Sequence, residues 1–133
     1  ALERHFGATP RALHPVAGGD INAAFRADLA DGRRIFVKTN AAAPLGMFGA
    51  EARGLAWLAQ PGVMRVPEQL GCVDAPGGPR WLALEWIEPG RPGPDFEEHL
   101  GRALARLHAT GADSFGFEHD NFIGSLPQSN QSC

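Results

Sequence analysis

The sequence has few cysteines, no excess of basic residues and no long apolar run, and each shortage excludes a class of protein. Its two cysteines, Cys72 and Cys133, lack the spacing of metal ligands or of a disulfide framework. Twelve Lys and Arg against 15 Asp and Glu give a net charge of -3, which argues against nucleic-acid binding. No apolar stretch reaches the length of a membrane span. We therefore expect a cytoplasmic protein with neither nucleic acid nor membrane as its partner.

The chain does contain a series of short strand-like runs with one helix between them. Its 133 residues, of which 44% are hydrophobic, suffice for one core. The dipeptide Asp31-Gly32 separates two alternating runs and predicts a hairpin, because both turn positions tolerate positive φ. Further along, the apolar spacing lengthens to that of a helix, which Pro61-Gly62 ends. We predict strands at 11–16, 23–29, 33–39, 70–73 and 81–87, helices at 1–6, 47–59 and 95–109, and loop from 114 onward.

The last predicted helix, at 95–109, has an N-terminal signal and an apolar face. Asp95 with Glu98 three residues later has the pattern of a capping box. Four apolar residues recur at helical spacing and predict a buried stripe: Phe96, Leu100, Leu104 and Leu107.

Two charged residues, Lys38 and Glu51, lie where the apolar pattern places buried faces. Lys38 is near the end of the alternating run RIFVKT, and Glu51 shares a helix face with Leu55 and Leu58. Taken singly, each is explained more simply as a solvated side chain, Lys38 with its stem covered. A carboxylate on a buried face is costly without a cation, however, and consecutive elements supply both charges. We predict that the two side chains meet in a cleft.

Two further segments flank this pair, and neither is specific alone. Gly18-Gly19 is followed by Asp-Ile-Asn between two predicted strands, where glycines let a backbone approach phosphates. A plain turn explains them equally well, since neither a Walker pattern nor a full G-x-G-x-x-G is present. The strand at 82–87 runs into a Gly/Pro linker, either as a hinge that presents backbone groups to an adenine or as an edge strand leaving the sheet.

In this order the segments resemble the N-lobe of protein-kinase-like phosphotransferases, and more closely the fructosamine kinase (ketosamine-3-kinase) family. The resemblance covers nearly the whole chain. The block DNFIG at 120–124 is its most specific part, because generic kinases lack it. The other matching segments are GGDIN at 18–22, FVKTN at 36–40, MFGAEA at 47–52, LEW at 84–86, LGRALA at 100–105, Leu107-His108, FGF at 115–117, Pro127-Gln128 and Asn130.

The resemblance implies an α+β, protein-kinase-like fold. Residues 1–88 would form an N-lobe with a five-stranded, mostly antiparallel sheet and one inserted helix. Residues 89–94 would be the hinge, and 95–133 the start of a truncated C-lobe made of helix 95–109 and a family loop. The implied activity is ATP-dependent phosphorylation of a ketosamine, the sugar adduct of a glycated amine, free or protein-bound, which amounts to protein deglycation.

The resemblance also implies a role for each site residue. The cofactors would be ATP and Mg²⁺. Gly18 and Gly19 would lie over the ATP phosphates, Lys38 would contact them, Glu51 would orient Lys38, and Glu85, Trp86 and Ile87 would form the adenine-side hinge. The family's catalytic Asp and metal ligands are expected beyond Cys133, because Asp120 is followed five residues later by Ser125 and not by a metal-binding Asn. With no catalytic or metal residue of its own, the chain is expected to be inactive alone.

Two other functions stay open at this stage. An aminoglycoside- or choline-type small-molecule kinase would share the N-lobe, and only the block at 120–130 argues against it. A non-catalytic binding or assembly module belongs to a different class, and an exposed lobe interface would favour self-association. Asp20 departs from the family pattern, since it places an added negative charge near the phosphates.

Overall fold

The computed structural model describes residues 2–19, 21–112 and 114–130, so that Asp20 and Cys133 lie outside the described residues. The predicted strands and helices are confirmed to within two residues at each end. The observed elements are α1 (Leu2–Phe6), β1 (Pro10–Pro15), β2 (Ala23–Leu29), β3 (Arg34–Thr39), α2 (Met47–Ala59), β4 (Gln69–Val73), β5 (Trp81–Glu85), α3 (Phe96–Ala109), β6 (Asn121–Ile123) and β7 (Leu126–Gln128).

Strands β1 to β5 form one sheet in the order β1-β2-β3-β5-β4, and every neighbouring pair is antiparallel. The predicted hairpin between β2 and β3 is present: the Leu29 N–H donates to the Arg33 carbonyl at 2.8 Å, and Gly32 has φ 89°. The five-stranded sheet with one inserted helix is therefore confirmed. Because β5 lies between β3 and β4, the reading of this strand as a sheet edge is wrong.

The sheet is covered on both faces, by α1 on one and by α2 on the other. Alternate residues of a strand face opposite sides, so Ile35 and Val37 lie in the cluster under α1 while Phe36 packs under α2. By the same alternation Lys38 belongs to the α2 face. The cluster under α2 contains Ala43, Met47, Phe48, Ala52, Leu82 and Leu84.

The later elements differ from the prediction at two places. β5 ends at Glu85 rather than at residue 87, because Glu85 pairs with Ile35 and the partner strand β3 begins only one residue earlier, at Arg34. The segment after 114 is not all loop, since β6 and β7 pair as an antiparallel hairpin. In the part of the chain that the structure describes, no helix is long and apolar enough to cross a membrane.

Helix α3 is amphipathic, but its apolar face is uncovered. Phe96, Leu100 and Leu104 are 50%, 38% and 39% exposed, and the helix has no buried residue. The predicted buried stripe is therefore wrong for this chain, because the described residues do not bury that face. The capping box is also absent: Asp95 makes no side-chain cap, and Glu98 instead accepts a hydrogen bond from Arg102 Nε at 2.8 Å.

Candidate active site

The predicted contact between Lys38 and Glu51 is present. Lys38 Nζ donates to Glu51 Oε1 at 2.6 Å, and each side chain keeps 30% of its surface exposed. β3 carries Lys38 opposite Leu82 on the α2 face, and Glu51 projects from α2 toward it. Two separately solvated side chains are thus excluded. An ion pair this exposed adds about 1 kcal/mol or less to stability, so its value lies in fixing the direction of the ammonium.

Helix α2 is packed on the sheet through its N-terminal half only, and this half contains Glu51. Phe48 is completely buried and Ala52 nearly so, whereas Leu58 and Trp57 near the C-terminal end are 37% and 46% exposed. The α2 face that carries Phe48, Leu55 and Leu58 is therefore buried at its start and open at its end. The helix is anchored where it meets the sheet.

The glycine loop lies at the same end of the sheet as Lys38. The Val16 N–H donates to the Ala24 carbonyl at 2.9 Å, and Ala24 pairs directly with Lys38. Gly18 and Gly19 follow with φ 106° and 139°, a region that favours glycine. A Cβ at Gly18 would meet nothing within 4 Å, so the backbone conformation, and not crowding, calls for glycine. Both glycines are exposed and available to a ligand.

A small cavity connects this loop with Glu51. Asn40 Nδ2 donates to the Ile21 carbonyl at 2.8 Å and so ties the loop to the end of β3. Behind this contact is a cavity of about 390 Å³ whose wall comes from the loop, from α2 and from the β6–β7 hairpin. Its lining includes Ile21, Asn22, Glu51, Asn121, Phe122 and Gly124.

At the predicted hinge, Glu85 is engaged by the segment before β4. Its carboxylate accepts hydrogen bonds from Arg65 Nη2 at 2.5 Å and from the Glu68 N–H at 3.3 Å, and its own N–H donates to the Glu68 carbonyl at 2.8 Å. The Arg65 hydrogen bond, followed by that from Glu68, lowers the pKa of Glu85 from its ordinary 4.5. The stabilisation from the ionised Glu85 carboxylate is thus complete at pH values above its pKa in the unfolded chain. It is lost as the pH falls through the lower pKa of the folded protein. An adenine would have to use backbone groups other than the Glu85 N–H.

Trp86 and Ile87 leave the sheet beside β2. The Arg26 guanidinium lies 5.6 Å from the Trp86 ring centroid and donates from Nε to Asp28 Oδ1 at 3.0 Å. Trp86 Nε1 is buried with no hydrogen-bond partner among the described residues, and Ile87 is 37% exposed. The sequence analysis did not single out Arg26, which lies over the Trp86 ring, or Arg65, which binds Glu85. The register of the β2–β3 hairpin places Arg26 opposite Phe36 and could have located it, whereas no pattern signals Arg65.

Taken together, the site offers one oriented cation and a glycine backbone at one end of a sheet. Such a set suits the phosphates of a nucleotide, which need positive charge and N–H donors at close range. It does not suit a metal ion by itself: in residues 2–19, 21–112 and 114–130, no three His, Cys, Asp or Glu side chains are grouped as metal ligands.

Comparison with known proteins agrees with this arrangement. A sequence model of the fructosamine kinase family matches residues 1–133. A Synechocystis protein named "Probable ketoamine kinase" is 43% identical over 117 residues, 86% of this chain and 39% of its own. The chloroplastic protein-ribulosamine 3-kinase of Arabidopsis thaliana is 40% identical over 117 residues, 86% of this chain and 35% of its own.

A solved structure of a fructosamine kinase relative has a similar fold. The crystal structure of a protein assigned as a fructosamine-3-kinase from Thermobifida fusca matches 99% of this chain and 45% of its own, with a TM-score of 0.78 and 35% identity. The chain spans less than half the length of each of these three relatives. It belongs to the fructosamine kinase family and shares the α+β, protein-kinase-like fold of its relatives.

Proposed function

We propose that this chain is the nucleotide-binding part of an ATP-dependent ketosamine-3-kinase, which phosphorylates the sugar of glycated amines, free or protein-bound. The observation that carries the proposal is the 2.6 Å contact between Lys38 and Glu51 at the sheet end where the glycine loop begins. The names of the relatives, ketoamine kinase and protein-ribulosamine 3-kinase, support this substrate class. Because the chain spans less than half of those relatives, the activity is proposed for the whole protein.

Each site residue has a part in binding the nucleotide. Gly18 and Gly19 would lie over the phosphates, the Lys38 ammonium would neutralise them, and Glu51 would keep that ammonium aimed. Backbone groups of the Glu85-Trp86-Ile87 hinge would contact the adenine. ATP would supply the phosphoryl group and Mg²⁺ would neutralise its charge, with the metal ligands and the catalytic Asp provided by parts of the whole protein other than these 133 residues.

The division into lobes is part of the same proposal. Residues 1–88 form the N-lobe, 89–94 the hinge, and 95–133 the first piece of the C-lobe. The support is the observed change from a covered five-stranded sheet to exposed segments after Glu85. We also propose a cytoplasmic location, which the free Cys72 thiol supports because thiols stay reduced in that compartment.

We expect the full-length protein to phosphorylate a fructosamine or a ribulosamine with Mg²⁺ and ATP. Mass spectrometry of the product should show one added phosphate on the sugar. The 133-residue chain alone should show no turnover in the same assay. Kanamycin and choline, tested as matched substrates, should remain unmodified; their phosphorylation in place of the ketosamine would replace this proposal by the small-molecule kinase alternative.

We propose in addition that the 133-residue chain self-associates through the apolar face of α3, which is 38–50% exposed at Phe96, Leu100 and Leu104. Leu104→Glu should break this association, and the variant should sediment as a monomer in sedimentation velocity. Ala105→Glu adds the same charge one residue away on the polar face, and it should leave the association unchanged. Equal effects of the two substitutions would show that net charge, and not the stripe, controls assembly.

A further inference from the structure

We propose that residues 117–130 form a brace along α2 that positions Glu51 for Lys38, with Phe122 as the positioning residue. This inference rests on the nucleotide-binding role proposed for the Lys38–Glu51 pair. It assigns a purpose to the block at 120–124, the most specific part of the family resemblance, which contributes no residue to the proposed nucleotide contacts.

The brace contacts α2 and the glycine loop at three successive points. At the C-terminal end of α2, Phe117 packs edge-on against Trp57, with ring centroids 5.6 Å apart. In the middle, Phe122 packs against the apolar cluster shared by α2 and the sheet. At the far end, Gly124 comes so close to Ile21 that an added Cβ would lie 2.9 Å from Cδ1. One segment therefore links the open end of α2 to the loop.

The brace is held in shape by its own hydrogen bonds. β6 and β7 pair through residues 121–123 and 126–128. At their base, Asp120 Oδ1 accepts the Asn130 N–H at 2.9 Å, and Asn130 Nδ2 donates to the His119 carbonyl at 3.0 Å. Asp120 is thus a structural acceptor, and the hairpin can act on α2 as a rigid unit.

Next to Glu51 the buried side chains of α2 are small. Gly46 offers no side-chain cap, and of the buried residues Met47, Phe48, Ala50 and Ala52 the two large ones lie in the first turn, whereas the two that flank Glu51 are alanines. On the hairpin side of Glu51 is the cavity of about 390 Å³, whose wall includes Phe122 and Asn121. Removal of the Phe122 ring enlarges this space and lets the Glu51 turn move away from Lys38.

The test compares Phe122→Ala with Phe6→Ala in the full-length protein. Both side chains are half-buried phenylalanines on an apolar cluster, but Phe6, the last residue of α1, packs on the opposite face of the sheet. Hydrogen exchange of the backbone amides in 47–59 should become about ten-fold faster in Phe122→Ala and remain near wild type in Phe6→Ala. Mg·ATP affinity, measured by calorimetry, should fall about ten-fold in Phe122→Ala only, and Phe122→Leu should restore most of it.

Amide exchange in α2 and Mg·ATP affinity together distinguish failure of the brace from failure of the proposed nucleotide-binding role. If wild type does not bind Mg·ATP while exchange in α2 still responds to Phe122→Ala alone, the nucleotide role fails and the brace stands. If Phe122→Ala and Phe6→Ala change exchange in α2 and affinity to the same extent, the side chain acts only through global stability and the brace is refuted.

A second pair of variants tests the contact with the glycine loop. Gly124→Ala should displace the Cδ1 tip of Ile21, a side chain that is 44% exposed and can rotate away, so exchange around residues 21–24 should become slightly faster and Mg·ATP binding slightly weaker. Gly7 has the same φ of 64° with nothing within 4 Å, so Gly7→Ala introduces the same backbone strain without that displacement. Identical results for the two alanines would remove Gly124 from the brace.

Discussion

The full-length protein carrying Lys38→Met should phosphorylate a ketosamine at least about 100-fold more slowly than wild type. Methionine keeps the length of the side chain and removes its charge, so the phosphates lose their oriented cation. Thermal unfolding should change little, because a pair with both members 30% exposed contributes about 1 kcal/mol or less, and water can solvate the carboxylate left behind. The measurement is kcat and KM for ATP, together with the unfolding midpoint.

Arg34→Met is the matched control for this experiment. Arg34 begins the same strand, and its partner is Glu88, away from Lys38. Its replacement should leave kcat close to the wild-type value. Glu51→Gln should slow turnover less than Lys38→Met does. The Lys38 ammonium is still present in this variant, but it loses the carboxylate that orients it. A Lys38→Met protein that is fully active, or that fails to fold, would assign Lys38 a structural role in place of the catalytic one.

Phe48→Ala should have the largest effect on stability, a loss of about 3–5 kcal/mol. The ring is completely buried between α2 and the sheet, where its removal leaves a void that neighbouring side chains fill only in part. A domain of this size is stable by about 5–15 kcal/mol, so the variant should unfold at a much lower urea concentration. Phe115→Ala, at a ring that is 86% exposed, makes the same chemical change and should shift stability by about 0.5 kcal/mol or less. Equal shifts would contradict the burial of Phe48.

Most of the fold was predictable from local signals in the sequence. The Asp31-Gly32 turn set the β2–β3 register, and the change from two-residue to helical spacing at Met47 located α2. The same signals led to the Lys38–Glu51 contact, because a charge on an apolar face predicts a partner. Local patterns sufficed where neighbours in sequence are also neighbours in space.

The failures occurred where distant residues decide the outcome. The apolar spacing of α3 correctly gave its helical period but could not tell whether another surface covers it. The β6–β7 hairpin was missed because its strands have three residues each, too few for a visible alternation. Arg65 reaches Glu85 across 20 residues, and no short motif reports such a pairing.

The interior position of β5 has a consequence for how the chain folds during synthesis. As the chain emerges from the ribosome, β1, β2 and β3 can pair in turn, since each follows its neighbour directly. The free side of β3 then stays unprotected until Trp81–Glu85 has emerged and inserted. During that interval an apolar strand with unpaired N–H and C=O groups is open to other nascent chains, so the β3 edge is exposed to aggregation until β5 covers it.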